Sequence, residues 1–277
     1  MNKDIALVVV LYNDIPRDYL FQDLGIHVII VDNTPNRDLE IHSPHISYLA
    51  LKTNLGIAKA LNFGFSKAKE INAKWVLTMD QDSDLPVNML EEYIRFIHEG
   101  YESIGIISPL INMYIGEKKR TSNSFIVIDT ALTSGSLINM KAYDAVGGFK
   151  EEMFIDEVDF EFCWNIKKHG FLTYQLNSVL MQHNLGETQE IKFFGRHLFY
   201  VTHHNYIRRY YMARNALYVR KLHGDIMPRK PWWRKGYLFS LLKIIIFEKD
   251  VFRKLKAIRL GIQDFNNNKF GKFDYSL

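Results

Sequence analysis

The sequence has little cysteine, a small net charge and no long apolar run, and each shortage excludes a class of protein. Cys163 is the single cysteine among 277 residues, which excludes a framework of intramolecular disulfides and a cysteine-rich zinc site. A net charge of +4 is too small to imply a nucleic-acid partner. The longest apolar stretch after the first strand, residues 237–247, is too short to span a bilayer and contains Lys243.

The first apolar stretch is interpreted as a core strand and not as a signal peptide. Residues 5–11 read IALVVVL, Lys3 and Asp4 precede them, and no small-residue cleavage site follows. With 47% hydrophobic residues, the chain can bury a sizeable core. We expect one large domain, alone or with an appendage, and the single cysteine fits a reducing, cytoplasmic compartment.

Short apolar segments alternate with helical periodicity through the first half of the chain. Strands are predicted at 5–11, 27–31, 46–50, 75–79 and 104–108. Helices are predicted over the intervening segments 55–70 and 87–99. Such alternation predicts an α/β fold with a mostly parallel sheet, in which ligands bind beyond the carboxyl ends of the strands.

The second half departs from this alternation. Two more strands joined by a turn are predicted within 125–140, and a helix is predicted over 154–170 with Ile155 on its apolar face. From about residue 190 the chain is basic and aromatic, and two amphipathic helices are predicted over 232–247 and 250–265. We therefore expect a domain over residues 1–190 and a helical extension over 191–277 that packs on it.

Two acids follow the fourth predicted strand. In extended backbone Asp80 and Asp82 point to the same side, so their charges repel unless a cation lies between them. Mg²⁺ or Mn²⁺, held by carboxylate and phosphate oxygens, would relieve that repulsion. The alternative is a solvated turn into a helix at Pro86, with Ser83 or Asp84 as its cap.

Polar side chains also follow the first two predicted strands. Tyr12 and Asn13 come after the first strand, and Asp32 and Asn33 come at the end of the second. The carboxyl ends of parallel strands meet at one edge of a sheet, so these side chains converge with the acids. This convergence favours the metal interpretation.

Seven motifs occur in order between residues 4 and 220: VVVLYN, VDNT, NLGIAKALNFG, MDQDS, TSGSLI, GGFKEEMFIDEVDFEFCWNIKKHG and HNLGE. The ordered set resembles the family 2 glycosyltransferases of the GT-A fold, and among them the bacterial rhamnosyltransferase-type members. The resemblance implies a GT-A, Rossmann-like mixed sheet flanked by helices. Residues 1–190 would bind the nucleotide sugar and catalyse transfer, and residues 191–277 would lie on the acceptor or membrane side.

The resemblance implies a nucleotide site in the first loops. Leu11, Tyr12 and Asn13 would lie near the base, and Asp32 would accept hydrogen bonds from the pyrimidine or the ribose. These positions match the family's first two loops.

The segment 54–59 matches the family's element beside the nucleotide. Asn54 can cap the following helix, Gly56 lets backbone come close, and Lys59 adds positive charge near phosphate. The alternative is that Asn54 and Gly56 mark an ordinary helix entry and that Lys59 lies on a solvated face.

The resemblance assigns a metal site. Asp80 would contact ribose or metal, Asp82 would bind the metal that bridges the diphosphate, and His183 matches a third ligand. The metal, Mg²⁺ or Mn²⁺, would act as a Lewis acid on the departing nucleoside diphosphate. The alternative for His183 is a structural histidine after a strand.

The segment DEVDFE holds the candidate general base. By the family pattern Asp159 is the base, whereas Asp156 would bind acceptor or sugar hydroxyls or cap the helix. Asp156 and Asp159 are three residues apart and would share a helix face, and Glu161 would point elsewhere. Asn165 stands where many relatives carry arginine, which puts in doubt any ion pair that arginine would make.

Arg214 and Asn215 match an Arg-Asn element of the rhamnosyltransferase-like members. Arg214 would reach the donor phosphate. The alternative is a basic, solvated helix face.

The resemblance implies an inverting glycosyltransferase that moves L-rhamnose from dTDP-L-rhamnose to a hydroxyl of a lipid-linked surface polysaccharide or oligosaccharide. A nucleotidyltransferase would usually show a Gly-rich, basic N-terminal loop, which LYNDIPRDY does not resemble. A non-catalytic sugar- or membrane-binding module on a degenerate GT-A scaffold is the other alternative. The retention of Asp82, Asp159 and His183 together argues against it.

Residues 229–259 combine ten cations with aromatic and aliphatic side chains. This composition suits a helix on an anionic membrane, which would place the protein peripherally on the inner face of the cytoplasmic membrane. The alternative is an amphipathic helix packed on the core with a solvated basic face. The cations are Arg229, Lys230, Arg234, Lys235, Lys243, Lys249, Arg253, Lys254, Lys256 and Arg259.

Overall fold

The protein is described from a computed structural model. The structure describes residues 2–112, 124–182, 188–193, 196–228 and 232–277, and only the backbone of 193, 196 and 232–238. The chain divides into two compact units: Met1–Phe154 with Val158–His183, and Ile155–Glu157 with Asn184–Leu277. The boundary that the sequence predicts near residue 190 stays a prediction.

The described part of the first unit contains one eight-stranded mixed sheet in the order β3-β2-β1-β4-β7-β5-β8-β6. Strands β1 to β4 are mutually parallel, β5 and β8 are parallel to each other, and β6 and β7 run antiparallel to their neighbours. The strands are β1 (Ile5–Leu11), β2 (His27–Asp32), β3 (Ile46–Ala50), β4 (Trp75–Asp80), β5 (Ile104–Asn112), β6 (Phe125–Ile128), β7 (Ser136–Asn139) and β8 (Leu172–Gln182).

Helices of the first unit cover this sheet. Every residue of β1 is buried, which explains why its sequence is continuously apolar. Helix α1 lies against β1 and β2, and Gly64 permits the approach, because a Cβ there would lie 2.5 Å from a methyl carbon of Val8. The helices are α1 (Ile57–Glu70), α2 (Met89–His98), α3 (Met140–Val146) and α4 (Val158–Lys168).

The second unit combines a hairpin with three helices. Strands β9 (Thr188–Phe193) and β10 (Arg196–Thr202) pair antiparallel. They precede α5 (Tyr206–His223), α6 (Trp232–Phe247) and α7 (Val251–Asn266). Among the residues described, no helix is long and apolar enough to cross a bilayer.

Buried charges hold the second unit together. Glu248 at the end of α6 accepts from Arg209 at 2.5 Å and from Lys254 at 2.7 Å, and all three residues are buried. Charge pairing therefore links α5, α6 and α7.

His204, just before α5, has a lowered pKa. Its burial, reinforced by the nearby charges of Arg208 and Arg209, lowers the pKa to about 4.

The expected fold class is confirmed, and two helix starts are corrected. The helix expected from Pro86 begins at Met89 with Asn88 as its N-cap, and neither Ser83 nor Asp84 caps it. The helix expected within 154–170 begins at Val158. The sheet is also more mixed than the alternation predicts, because β6 and β7 run antiparallel.

Candidate active site

The candidate site lies at the carboxyl ends of β1, β2 and β4. The chain passes from β1 to β2 and β3 on one side, then returns to β4 on the other side of β1. Loops that leave neighbouring strands in opposite directions open a crevice between them, where ligands of open α/β sheets bind. Tyr12 follows β1 and Gln81 follows β4, so both lie at this crevice.

Hydrogen bonds join the loops after β1, β2 and β4. The Gln81 side chain accepts from the amide of Tyr12 at 2.7 Å and donates to the Tyr12 carbonyl at 3.3 Å. The Asn13 amide donates to the Thr34 hydroxyl at 2.8 Å, and the Asn33 amide donates to the buried Leu11 carbonyl at 2.8 Å. The predicted nucleotide loop, Leu11 to Asn13, is thus tied to both neighbouring loops.

Arg17 holds the acidic turn after β4. Its guanidinium donates to the carbonyls of Gln81 at 3.2 Å and Asp82 at 2.8 Å, and to the Asp84 carboxylate at 2.9 Å. A planar guanidinium presents its donors in a fixed fork, so three acceptors together define the path of the turn. Arg17 and Gln81 therefore connect the first loop to the acids at two points.

The backbone at the two acids is a turn and not an extended strand. The Ser83 amide donates to the Asp80 carbonyl at 3.1 Å, and β4 ends at Asp80. The expectation that Asp80 and Asp82 face one side through extended geometry is wrong, because the chain turns at Asp80. Asp80 is half-buried, and its amide donates to the Ser134 hydroxyl at 3.0 Å, whereas Asp82 is exposed.

Asp32 is fully buried at the end of β2. Its carboxylate accepts from Arg37 at 2.5 and 2.8 Å, from the Tyr48 hydroxyl at 2.7 Å and from the Thr34 amide at 3.0 Å. Burial by itself raises the pKa of Asp32, but these hydrogen bonds outweigh it and the pKa is lowered. The predicted contact with a nucleotide stays a prediction, and it would require Arg37 or Tyr48 to release an oxygen.

The segment before α1 is built by two asparagines. Asn54 accepts from the Asn33 side chain at 3.2 Å and from the Gly56 amide at 3.0 Å. The N-cap of α1 is Gly56 and no side chain caps it, so the expected capping role of Asn54 is wrong. Lys59 pairs with Glu151 at 3.2 Å, and its predicted contact with phosphate stays a prediction.

Gly56 allows a close approach, but within this chain. It has a φ of 85°, and a Cβ there would lie 2.6 Å from the Phe154 carbonyl oxygen. The same carbonyl accepts from the amide of Ile57 at 2.7 Å. Glycine at this position lets the start of α1 meet the segment that precedes α4.

The three acids near the start of α4 have different environments. Asp159 lies in the first turn of α4 and is half-buried, and Glu161 is fully buried. Asp156 precedes the helix with a φ of 64°, so it does not share a helix face with Asp159 as expected. Among the described residues, the Asp156 carboxylate accepts from Arg208 at 2.6 and 3.3 Å, and its expected capping role stays a prediction.

Arg214 is fully buried in the second unit, which excludes the solvated basic face. Its guanidinium lies over the Tyr210 and Tyr211 rings at 5.2 and 5.0 Å and donates to the Gly271 carbonyl at 2.9 Å. Asn215 donates to the Asp156 carbonyl at 3.0 Å. The contact of Arg214 with the donor phosphate stays a prediction.

The predicted third metal ligand, His183, lies outside the described residues. Within the described ranges, no group of three His, Cys, Asp or Glu side chains is arranged to hold a metal ion. The roles of Asp80, Asp82 and His183 as metal ligands stay predictions.

Sequence reasoning missed the residues that arrange the site. Arg17, Gln81, Arg37, Tyr48 and Ser134 position its loops through hydrogen bonds. The one available signal was the place of Gln81 between two acids. The other four lie in segments without a distinctive pattern.

This mixed α/β sheet, with polar loops at the carboxyl ends of β1, β2 and β4, has the GT-A fold of glycosyltransferases. The chain belongs to glycosyl transferase family 2, and the sequence model of that family matches residues 18–157. It is 28% identical over 253 residues to the dTDP-rhamnosyl transferase RfbF of Shigella flexneri, covering 82% of this chain and 83% of that protein.

Two solved structures share the fold. GalNAc-T7 with UDP, GalNAc and Mn²⁺ matches with a TM-score of 0.55 and 13% identity over 95% of this chain and 56% of that chain. The mannosyltransferase PcManGT from Pyrobaculum calidifontis, in complex with GDP-Man and Mn²⁺, matches with a TM-score of 0.54 and 12% identity over 95% and 75%. At these identities the likeness supports the fold alone.

Proposed function

We propose that this glycosyltransferase inverts configuration and transfers L-rhamnose from dTDP-L-rhamnose to a hydroxyl of a lipid-linked polysaccharide or oligosaccharide. The observation that carries the proposal is the reciprocal hydrogen bonding of Gln81 with Tyr12, which joins the nucleotide loop to the acidic turn. The choice of donor rests on the similarity to RfbF, a dTDP-rhamnosyl transferase. The acceptor class rests on the sequence resemblance.

The nucleotide would lie against the loop Leu11–Asn13. The two hydrogen bonds to Tyr12 and the bond from Asn13 to Thr34 hold this loop in place before a donor binds. A loop fixed in advance loses less conformational entropy on binding. These contacts support a base-binding role for residues 11–13.

The chemistry of the acidic turn fits a hard divalent cation. Asp80 and Asp82 offer carboxylate oxygens, and one or two carboxylates with substrate phosphates are the usual ligands of Mg²⁺. When bound, Mg²⁺ or Mn²⁺ supplies Lewis-acid stabilisation of the charge on the leaving diphosphate. Arg17 holds the turn that would present Asp82.

Asp159 is the proposed general base. Its carboxylate would accept the proton of the acceptor hydroxyl while that oxygen attacks the anomeric carbon. The bond to the nucleoside diphosphate breaks on the opposite face, which inverts the configuration. Glu161 is fully buried and the Asp156 side chain is 9% exposed, whereas Asp159 lies half-buried in the first turn of α4.

Turnover by the full-length protein tests the proposal. Release of nucleoside diphosphate from dTDP-L-rhamnose should exceed that from UDP-glucose, UDP-galactose and GDP-mannose, and EDTA should abolish it. Asp82→Asn should reduce release by about 10²-fold or more, consistent with a loss of several kcal/mol of charge stabilisation. The matched control Asp38→Asn alters an exposed carboxylate that is paired with Lys52 and should retain activity.

Each part of the proposal has its own contradicting result. Preference for another donor would refute the rhamnose assignment, and full activity in EDTA would refute the metal. Donor binding without release or transfer, across the whole panel, would favour the non-catalytic sugar-binding module.

A further inference from the structure

Helix α6 exposes large apolar side chains on successive turns. Phe239, Leu242 and Ile246 are spaced three and four residues apart and so share one face, and Ile245 lies beside them. A helix that packs on a core normally turns polar residues to water. The exposed fraction is 46% for Phe239, 52% for Leu242, 51% for Ile245 and 65% for Ile246, and Phe252 at the start of α7 is 91% exposed. We call this set the apolar stripe.

Exposed cations lie beside the apolar stripe. Lys249 lies two residues after the end of α6, and Lys256 and Arg259 follow Phe252 at helical spacing on α7. Within residues 239–259 the acids are Glu248, which is buried, and Asp250. The exposed charge is therefore strongly positive. We call Lys249, Arg253, Lys256 and Arg259 the basic rim.

Other cations of the segment contact residues of the protein interior. The basic rim is therefore a subset of the cations of the segment, selected by exposure. Lys243 donates to the Tyr200 carbonyl at 3.1 Å and lies 4.7 Å from the Phe199 ring centre. Lys254 is buried against Glu248 at 2.7 Å. Lys243 and Lys254 are thus two of the ten cations of residues 229–259 that do not contribute to an exposed basic face. Arg229 and Lys230, and the side chains of Arg234 and Lys235, lie outside the described residues.

A groove adjoins the same surface. It has a volume of about 440 Å³, and four of its seven lining residues are apolar: Leu241, Leu255, Ile258 and Ile262. Arg259 belongs both to the groove and to the basic rim. A cation in the lining of a mostly apolar groove suits a ligand with an anionic head and a hydrocarbon tail.

We propose that the apolar stripe and basic rim form a docking surface for an anionic phospholipid bilayer. The stripe would enter the boundary between headgroups and acyl chains, the rim would face the anionic headgroups, and the groove would accept part of an acyl chain. Interfacial helices bind by this pairing of apolar burial with electrostatic attraction. The exposed apolar side chains distinguish it from a purely basic surface. The inference is independent of the donor and metal assignments.

Vesicle co-sedimentation of the full-length protein tests the surface. Binding to phosphatidylcholine vesicles containing about one third phosphatidylglycerol should exceed binding to phosphatidylcholine alone. Lys256→Glu with Arg259→Glu should reduce the partition coefficient by roughly 25-fold or more, since each cation near an anionic surface contributes about fivefold. The matched control, Lys141→Glu with Lys272→Glu, makes the same charge change at exposed cations outside the surface and should bind like wild type.

The apolar contribution has a separate variant. Ile246→Gln with Phe252→Gln should reduce binding to both vesicle types without changing the melting temperature, because both side chains are exposed. Binding that is insensitive to anionic lipid and to both double variants would overturn the proposal. A dimer in sedimentation velocity that the glutamine variant abolishes, with no vesicle binding, would also overturn it and assign the stripe to a second copy of the chain. Donor turnover without lipid should be unchanged in all variants, which separates this proposal from the proposed function.

Discussion

Replacing Gln81 by alanine should weaken donor binding while leaving the chemical step intact. The substitution removes one hydrogen bond of 2.7 Å and one of 3.3 Å to the backbone of Tyr12. Each such bond contributes about 0.5–1.5 kcal/mol, and the longer one belongs at the low end. Their loss destabilises the observed conformation of the nucleotide loop by about 1–2 kcal/mol in total. If the donor binds only to this conformation of the loop, the dissociation constant of the donor rises roughly 5- to 30-fold.

Gln81→Glu separates loop positioning from simple loss of a side chain. Glutamate can still accept from the Tyr12 amide, but it cannot donate to the carbonyl, and it adds a third negative charge between Asp80 and Asp82. We expect it to weaken donor binding at least as much as alanine. Gln22→Ala, which truncates an exposed glutamine of the same unit, is the matched control and should bind the donor like wild type.

The assay is calorimetric titration with dTDP and the nucleotide sugar, followed by steady-state kinetics. The expected pattern is a raised dissociation constant and KM with kcat within about twofold, as for an interaction that is equally strong in the ground and transition states. A Gln81→Ala protein that is folded and binds the donor within twofold of wild type would refute the reasoning. A lower kcat with unchanged binding would refute it as well, since the link would then act on the chemistry.

Three further predictions concern the base, pH and stability. Asp159→Asn should lower kcat by ~10²–10⁴-fold with donor binding and melting temperature near wild type, and retention of more than about a tenth of kcat would contradict the assignment. His204 resists protonation from its ordinary pKa of 6.5 down to about 4, so the unfolded state takes up the proton first and stability falls with pH in that window. Between pH 7.5 and 5, urea unfolding should show wild type losing more stability than His204→Gln, by about 1 kcal/mol once solvent screening of this half-buried ring is allowed for, and equal losses would be inconsistent with the shift. Glu248→Ala leaves Arg209 and Lys254 buried without their carboxylate and should cost about 3–5 kcal/mol in chemical unfolding; a cost under about 1 kcal/mol would show that the cluster relaxes into water.

Elements could be predicted from the sequence where their apolar residues form a continuous run or a helical pattern. Strand β1 is a continuous apolar run because both its faces are covered, and α6 and α7 have helical length between turn signals. Strands β9 and β10 and helix α5 were not predicted as elements. β9 reads TQEIKF, with two apolar residues in six, and its pairing with β10 is decided by contacts that composition does not display.

At the site, the residue types were predictable and their geometry was not. Asp80 and Asp82 were selected from the sequence on the assumption of extended backbone, but the amide of Ser83 closes a turn on Asp80. Arg17 and Gln81 make contacts across 64 to 69 residues of chain. Such partners depend on which strands become neighbours in the sheet, and local periodicity carries no information on that order.

The structure changes the physical reason for preferring Asp159 to Asp156 as the base. The sequence argument treated Asp156 as a helix cap, yet its carboxylate accepts twice from Arg208 and its side chain is 9% exposed. So little exposed surface leaves an acceptor hydroxyl almost no approach to Asp156. Glu161 is buried without access to solvent. Asp159 is the one acid of the three that lies in the first turn of α4 with part of its surface exposed, where an acceptor hydroxyl can approach it.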